Sequence, residues 1–286
     1  FEQTTAADGG ICIRRRISYT DLISPEQRAY LSTVRSVADL NEPLEPAFLI
    51  TADNSGPGSP QPTYSSDPAT GSLIDGLGIV TESANLEGRQ KSYAVVIEDA
   101  SPTISNNRII GQILGTAAAP AGTPAATVTG PDHVAGIVIR GESAPRIIHN
   151  RIYATYRGIS GEVFRPGMTN GIRIQADSDA AVVPVIQENT IDGGMASTRS
   201  AAVLMRHCLN ANSGLRLQGA NTLNAGSATS TTELNGTYGF LLESGVSVAA
   251  NPSECVTLQS GGSVGEIIID RNIIHSSGGT SENFRH

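Results

Sequence analysis

One pattern, P-x-I-x-x-N-x-I, occurs three times and governs what this 286-residue chain can fold into. It appears as "SPTISNNRII" (101–110), "APRIIHNRIY" (144–153) and "VPVIQENTID" (183–192). Weaker copies, "LRLQGANTL" and "EIIIDRNII", keep Asn221 and Asn272. Each unit is accompanied by a second element with period-2 alternation: "AVVIE", "GIVIR", "GIRIQ", "AVLMR" and "GFLLE". Period 2 is the mark of a short strand. The asparagines are unevenly spaced, so a fixed structural unit carries connections of different length. Short strands joined by polar turns, repeated along a chain, bury their apolar faces against one another as stacked coils of a solenoid. Ile97, Ile139, Ile174, Met205 and Leu242 are then one inward column, and Ile104, Ile147, Ile186 and Ile269 another. Asn107, Asn150, Asn189, Asn221 and Asn272 are expected at a sharp bend between strands. Asn tolerates the left-handed conformation there, and stacked amides can bond from coil to coil.

The "GIxI" strands and the three P-x-I-x-x-N-x-I copies resemble the right-handed parallel β-helix superfamily, the pectate-lyase-like fold. The resemblance covers about residues 72–278. It implies an all-β, right-handed parallel β-helix solenoid, with any site on the outward face of one sheet.

Residues 1–71 do not repeat and are read as an N-terminal capping region or lid, and 72–286 as the repeat domain. Within the cap, Ser24, Pro25 and Gln27 have the order of a helix start, and Tyr30, Leu31, Val34 and Ala38 share one helical face, so a helix is expected over about 25–40. Such a cap would shield the end strands from pairing with other chains. Inserts are expected near 112–132, 155–170 and 226–238, all after the Asn strand.

Composition narrows the partners. Net charge is −8 and Lys91 is the sole lysine, which argues against nucleic acid. No run approaches 18 apolar residues, so no membrane span is expected. Cys12, Cys208 and Cys255 make no CxxC pair. Cys208 and Cys255 can form a disulfide in an oxidising compartment, or all three can be small buried hydrophobes.

The strand alternation also writes down an outward face. One column is Val96, Val138, Arg173, Leu204 and Leu241, an apolar stripe to be covered by residues 1–71, by the inserts or by another subunit. The next is Glu98, Arg140, Gln175, Arg206 and Glu243, in which acids alternate with bases. Glycoside hydrolysis needs two carboxylates about 5 to 10 Å apart. Glu98 and Glu243 lie four coils apart, about 19 Å at strand spacing, and cannot cooperate. Glu142 and Asp177 are expected on neighbouring coils at a turn, and with Asp179 they are the candidate Ca²⁺ ligands. Arg140 and Arg173 are the candidate bases of a lyase. The superfamily's hydrolase motifs NTD, DD, GHG and RIK do not occur. Tyr153, Tyr156 and Phe164 cluster near one insert and are the candidate platform for a polysaccharide.

These readings give an expected role: a secreted or cell-surface structural or adhesive module that self-associates or contacts glycans, without catalysis and without a cofactor. The alternative is a polysaccharide lyase or glycoside hydrolase, with Ca²⁺ available to it.

Overall fold

The structure is a computed structural model describing residues 2–5, 11–14, 33–38, 48–51, 72–83, 91–114, 133–157, 167–176, 181–196, 198–207, 212–228, 236–244 and 266–275. Among these residues every regular element is a strand. In chain order they are β1 (Glu2–Thr5), β2 (Ile11–Arg14), β3 (Thr33–Ala38), β4 (Phe48–Thr51), β5 (Leu73–Asp75), β6 (Gly78–Ser83), β7 (Lys91–Glu98), β8 (Thr103–Ser105), β9 (Arg108–Leu114), β10 (His133–Arg140), β11 (Arg146–Ile148) and β12 (Arg151–Arg157). There follow β13 (Met168–Ala176), β14 (Val185–Gln187), β15 (Thr190–Asp192), β16 (Met195–Ala196), β17 (Arg199–His207), β18 (Leu215–Gln218), β19 (Thr222–Asn224), β20 (Ser227–Ala228), β21 (Gly236–Ser244), β22 (Ile267–Asp270) and β23 (Ile273–His275).

Three sheets take almost all of them. Sheet I has the order β1-β2-β5-β8-β11-β14-β18-β22, sheet II β23-β19-β15-β12-β9-β6-β3, and sheet III β21-β17-β13-β10-β7-β4. All pairings are parallel except β1 on β2. The chain passes from sheet I to II to III and then returns to I beside the strand it used before. β16 and β20 form a separate parallel pair.

Register follows the expected columns. Ile97, Ile139, Ile174, Met205 and Leu242 align across sheet III, and Ile104, Ile147, Ile186, Leu217 and Ile269 across sheet I. Sheet II supplies a third column: Ile79, Ile109, Ile152, Ile191, Leu223 and Ile274. Away from the last strands these side chains are fully buried in one continuous core. Each buried Ile or Leu contributes about 1.5–3 kcal/mol, which is how a chain without Trp sustains a core.

The five asparagines stack as expected. The Oδ1 of Asn150 accepts from Asn107 N at 2.9 Å and from Asn107 Nδ2 at 3.1 Å. Asn189 serves Asn150 in the same way, and Asn221 serves Asn189. Asn272 Oδ1 accepts from Asn221 Nδ2 at 2.8 Å. Leu77 takes the same place one pass earlier, and its N–H donates to Asn107 Oδ1. The bend, however, is made by the preceding residue. Asn106, His149, Glu188, Ala220 and Arg271 carry the positive φ, between 53° and 62°. Their side chains point outward, whereas each Asn must turn its amide into the core to reach the next.

At the return from sheet III to sheet I, serines take a similar part. Ser143 Oγ accepts from Ala100 N at 3.2 Å, and Ser213 Oγ from Val182 N at 3.1 Å.

The expected helix over 25–40 is not supported where it can be seen. Residues 33–38 form β3, paired in parallel with β6, and residues 25–32 lie outside the described residues. The β-branched Thr33, Val34 and Val37 extend a ready-made sheet edge, and that pairing outweighs local capping signals. The expected inserts are partly strand. Residues 112–114 end β9, 155–157 end β12, and 227–228 form β20.

Candidate functional site

Sheet III presents the outward columns foreseen from the alternation. Glu98 accepts from Arg140 Nη2 at 2.8 Å, and Glu243 pairs with Arg199 and, at 3.5 Å, with Arg206. In the apolar column Val96, Val138 and Leu204 are at most 4% exposed. Val96 and Val138 pack with Ala135 and Tyr93. The open surface of that column is at its ends: Leu49, in register with Val96, is 55% exposed, and Leu241 is half-buried.

Beside this column lies a polar cluster. His133 Nε2 meets Asn170 Oδ1 at 2.6 Å, and Arg173 Nη1 and, at 3.4 Å, the Tyr93 hydroxyl meet His133 Nδ1. Arg173 can only donate, so Nδ1 is the acceptor and the proton sits on Nε2, directed at Asn170. Tyr93 also packs edge-on to the imidazole, and burial raises its hydroxyl pKa against the lowering pull of Arg173 and Arg140. Arg173 is thereby committed to His133, and Arg140 to Glu98.

Glu142 lies at the III-to-I return, where its N–H donates to Asp99 Oδ1 at 2.8 Å. Asp177, Asp179, Phe164, Cys208 and Cys255 lie outside the described residues, so the Glu142–Asp177 pairing, the Ca²⁺ site and the disulfide fall there too. Tyr156 is within β12, aligned with Ile113. Tyr153 is placed most informatively.

Tyr153 sits where sheet II changes strand length. β9 and β12 run for seven residues, but the equivalent strands β15 and β19 stop after three, and the chain turns through Gly194 and Gly226 into β16 and β20. The turns are tied together: Gly193 N donates to Asn224 O at 2.9 Å, Ser227 N to Gly194 O at 2.7 Å, and Ser200 Oγ to Gly194 O and Ala225 O. This step opens a pocket of about 320 Å³ lined by Tyr153, Ala154, Asp192, Gly194, Met195, Gly226 and Ser227.

Tyr153 and Asp192 are register partners on adjacent strands. The Arg108 guanidinium lies 5.8 Å from the Tyr153 ring centroid, a cation–π distance. Asp192 Oδ1 accepts from Gly194 N at 2.8 Å. Burial raises the Asp192 pKa, and that single backbone hydrogen bond only partly offsets it. An aromatic face and a partly desolvated carboxyl in a shallow pocket can bind a small polyhydroxylated group. The sequence reading found Tyr153 and missed Asp192 and Met195. A signal was present: "IDGGMA" (191–196) and "LNAGSA" (223–228) are two in-register copies of one turn.

The fold and site define an all-β protein of parallel sheets with an open aromatic–carboxylate pocket on one sheet. Comparisons with protein-family models, curated proteins and solved structures return no match.

Proposed function

We propose that the chain winds as a right-handed parallel β-helix of the pectate-lyase-like class and acts, secreted or at a cell surface, as a non-catalytic structural or adhesive module that contacts glycans and copies of itself. The repeated passage through sheets I, II and III supports the winding, and the resemblance of the repeat supplies its hand. The observation that carries the glycan contact is Tyr153 beside Asp192 in an open pocket on an outward sheet face. A hydrolase would need a second carboxylate within about 10 Å, and among the described residues lining this pocket Asp192 is the one acid.

Glycan binding is tested by titrating the full chain with a panel of oligosaccharides. Tyr153→Ala is expected to weaken any sugar bound by wild type at least about tenfold, equivalent to about 1.4 kcal/mol. Equal binding by the variant removes the pocket from the proposal. Depolymerisation of a bound polysaccharide would turn it to the enzyme alternative.

Self-association would use the far end of the stack. Among the described residues β21, β22 and β23 are the last strands of their sheets, and there Leu242, Ile269 and Ile273 are 41%, 47% and 54% exposed. Leu242 and Ile269 continue columns that are fully buried one strand earlier. Open strand edges with apolar residues recruit other strands. Sedimentation velocity is expected to show concentration-dependent association that the double variant Leu242→Asp/Ile269→Asp abolishes. Wild type that stays monomeric at high concentration refutes this part of the reading.

A further inference from the structure

We propose that the Tyr153–Asp192 pocket selects a sugar bearing a protonated amine, such as a glucosamine oligomer, over neutral or acidic sugars. The inference rests on the glycan-binding reading above and names the ligand class of the same site. Its basis is the electrostatics of Asp192. The carboxyl is taken partly out of water, and the one hydrogen bond it receives among the described residues is from Gly194 N. Burial raises its pKa and the Gly194 hydrogen bond lowers it. Two basic side chains of the neighbouring strands are placed otherwise. Arg108 lies over the Tyr153 ring, and Arg151 belongs to the adjacent column, whose next members are Thr190 and Thr222. Along its own column Asp192 stands between Tyr153 and Asn224.

A partly desolvated carboxylate without a cationic partner is costly, and a ligand ammonium would relieve that cost by charge-assisted hydrogen bonding. A carboxylate-bearing sugar would meet like charge there. The pocket is otherwise apolar enough, through Tyr153, Ala154 and Met195, to cover the face of a pyranose ring. The ring then contributes affinity through Tyr153 and the amine contributes selection through Asp192.

Calorimetric titration of the full chain with three probes of equal length tests this: a glucosamine oligomer, its fully N-acetylated form and a galacturonate oligomer. Wild type is expected to bind the glucosamine oligomer at least about tenfold tighter than either other probe. Asp192→Asn keeps an oxygen for the Gly194 N–H, so the turn persists. It is expected to remove the preference, bringing the affinity for the glucosamine oligomer to within about twofold of that for the acetylated oligomer. If the acetylated or the acidic oligomer binds as well as the amine, or if Asp192→Asn leaves the preference intact, the inference fails and glycan binding at the pocket stands. If none of the three binds, the glycan reading fails with it. An unfolding midpoint for Asp192→Asn equal to wild type accompanies the expected result, and a lowered midpoint directs the comparison to Asp192→Ser, which is expected to lose the same preference.

Discussion

Asn150→Ala is expected to lower the stability of the protein by about 2–4 kcal/mol, since a buried polar group left unpaired costs about 1–3 kcal/mol and each further hydrogen bond lost about 1 kcal/mol. The count starts from the side chain's own bonds. Its Oδ1 accepts from both Asn107 N and Asn107 Nδ2, and its Nδ2 donates to Ile104 O at 2.8 Å and Ile148 O at 3.0 Å. Asn150 is 2% exposed and has a stacked Asn on either side. Alanine therefore leaves Asn107 N without its acceptor and takes one bond each from Asn107 Nδ2, which keeps Ile74 O, from Ile148 O, which keeps the Asn106 N–H, and from Ile104 O, and buried backbone groups in native proteins are almost always paired. Aspartate is no substitute, because it keeps the acceptor but loses the donor and brings a charge into the core. The control is Asn272→Ala at the open end, where the side chain is half-buried and water can replace what is lost. Its expected cost is about 1 kcal/mol, that of an ordinary hydrogen bond. Denaturant midpoints with unchanged slope measure both. Equal losses at the two positions, or a loss at Asn150 below that at Asn272, would mean the amide stack does not hold the sheets in register.

What was legible in the sequence is what the repeat makes redundant. Ile97, Ile139, Ile174 and Met205 could be assigned to one column because each is fixed by its own alternation and by the copies above and below. A one-residue slip would have turned every member outward. The same redundancy placed Asn107, Asn150 and Asn189 in a line. It did not say which residue bends the chain, because the left-handed position is filled by Asn106, His149, Glu188, Ala220 and Arg271, which share no side-chain chemistry. At residues 33–38 the local signals Ser24, Pro25 and Gln27 point to a helix, while the pairing partner β6 lies about 45 residues away and leaves no local trace. The pocket was half legible for a related reason. An aromatic residue near an insert can be suspected from sequence, but the pocket exists because β12 is long and β15 is short. That is a relation between neighbouring strands and not a property of either.

Gly194→Ala is expected to be the most disruptive single change near the pocket, costing more than about 3 kcal/mol or expelling the turn. Gly194 has φ of 78°, and a Cβ built on it would lie 1.7 Å from Ala154 O. The left-handed conformation alone costs an L-residue about 1–2 kcal/mol. The clash is with backbone, which has no rotamer to swing away, so β16 would have to lift from β12. Lifting it breaks the bond from Ser227 N to Gly194 O and withdraws the Gly194 N–H from Asp192. Stability and ligand binding should therefore fall together, which a purely local strain would not produce. Gly236→Ala is the matched control: the nearest atom to its added Cβ is Tyr238 Oη at 3.4 Å, an ordinary contact. That variant should stay within about 1 kcal/mol of wild type, in line with the small Gly-to-Ala differences at unstrained positions. Thermal unfolding and sugar titration of both variants decide the matter. If Gly194→Ala melts with wild type and still binds, the tight turn cannot be what builds the pocket, and the β12–β15 pairing that sets Tyr153 beside Asp192 suffices without it.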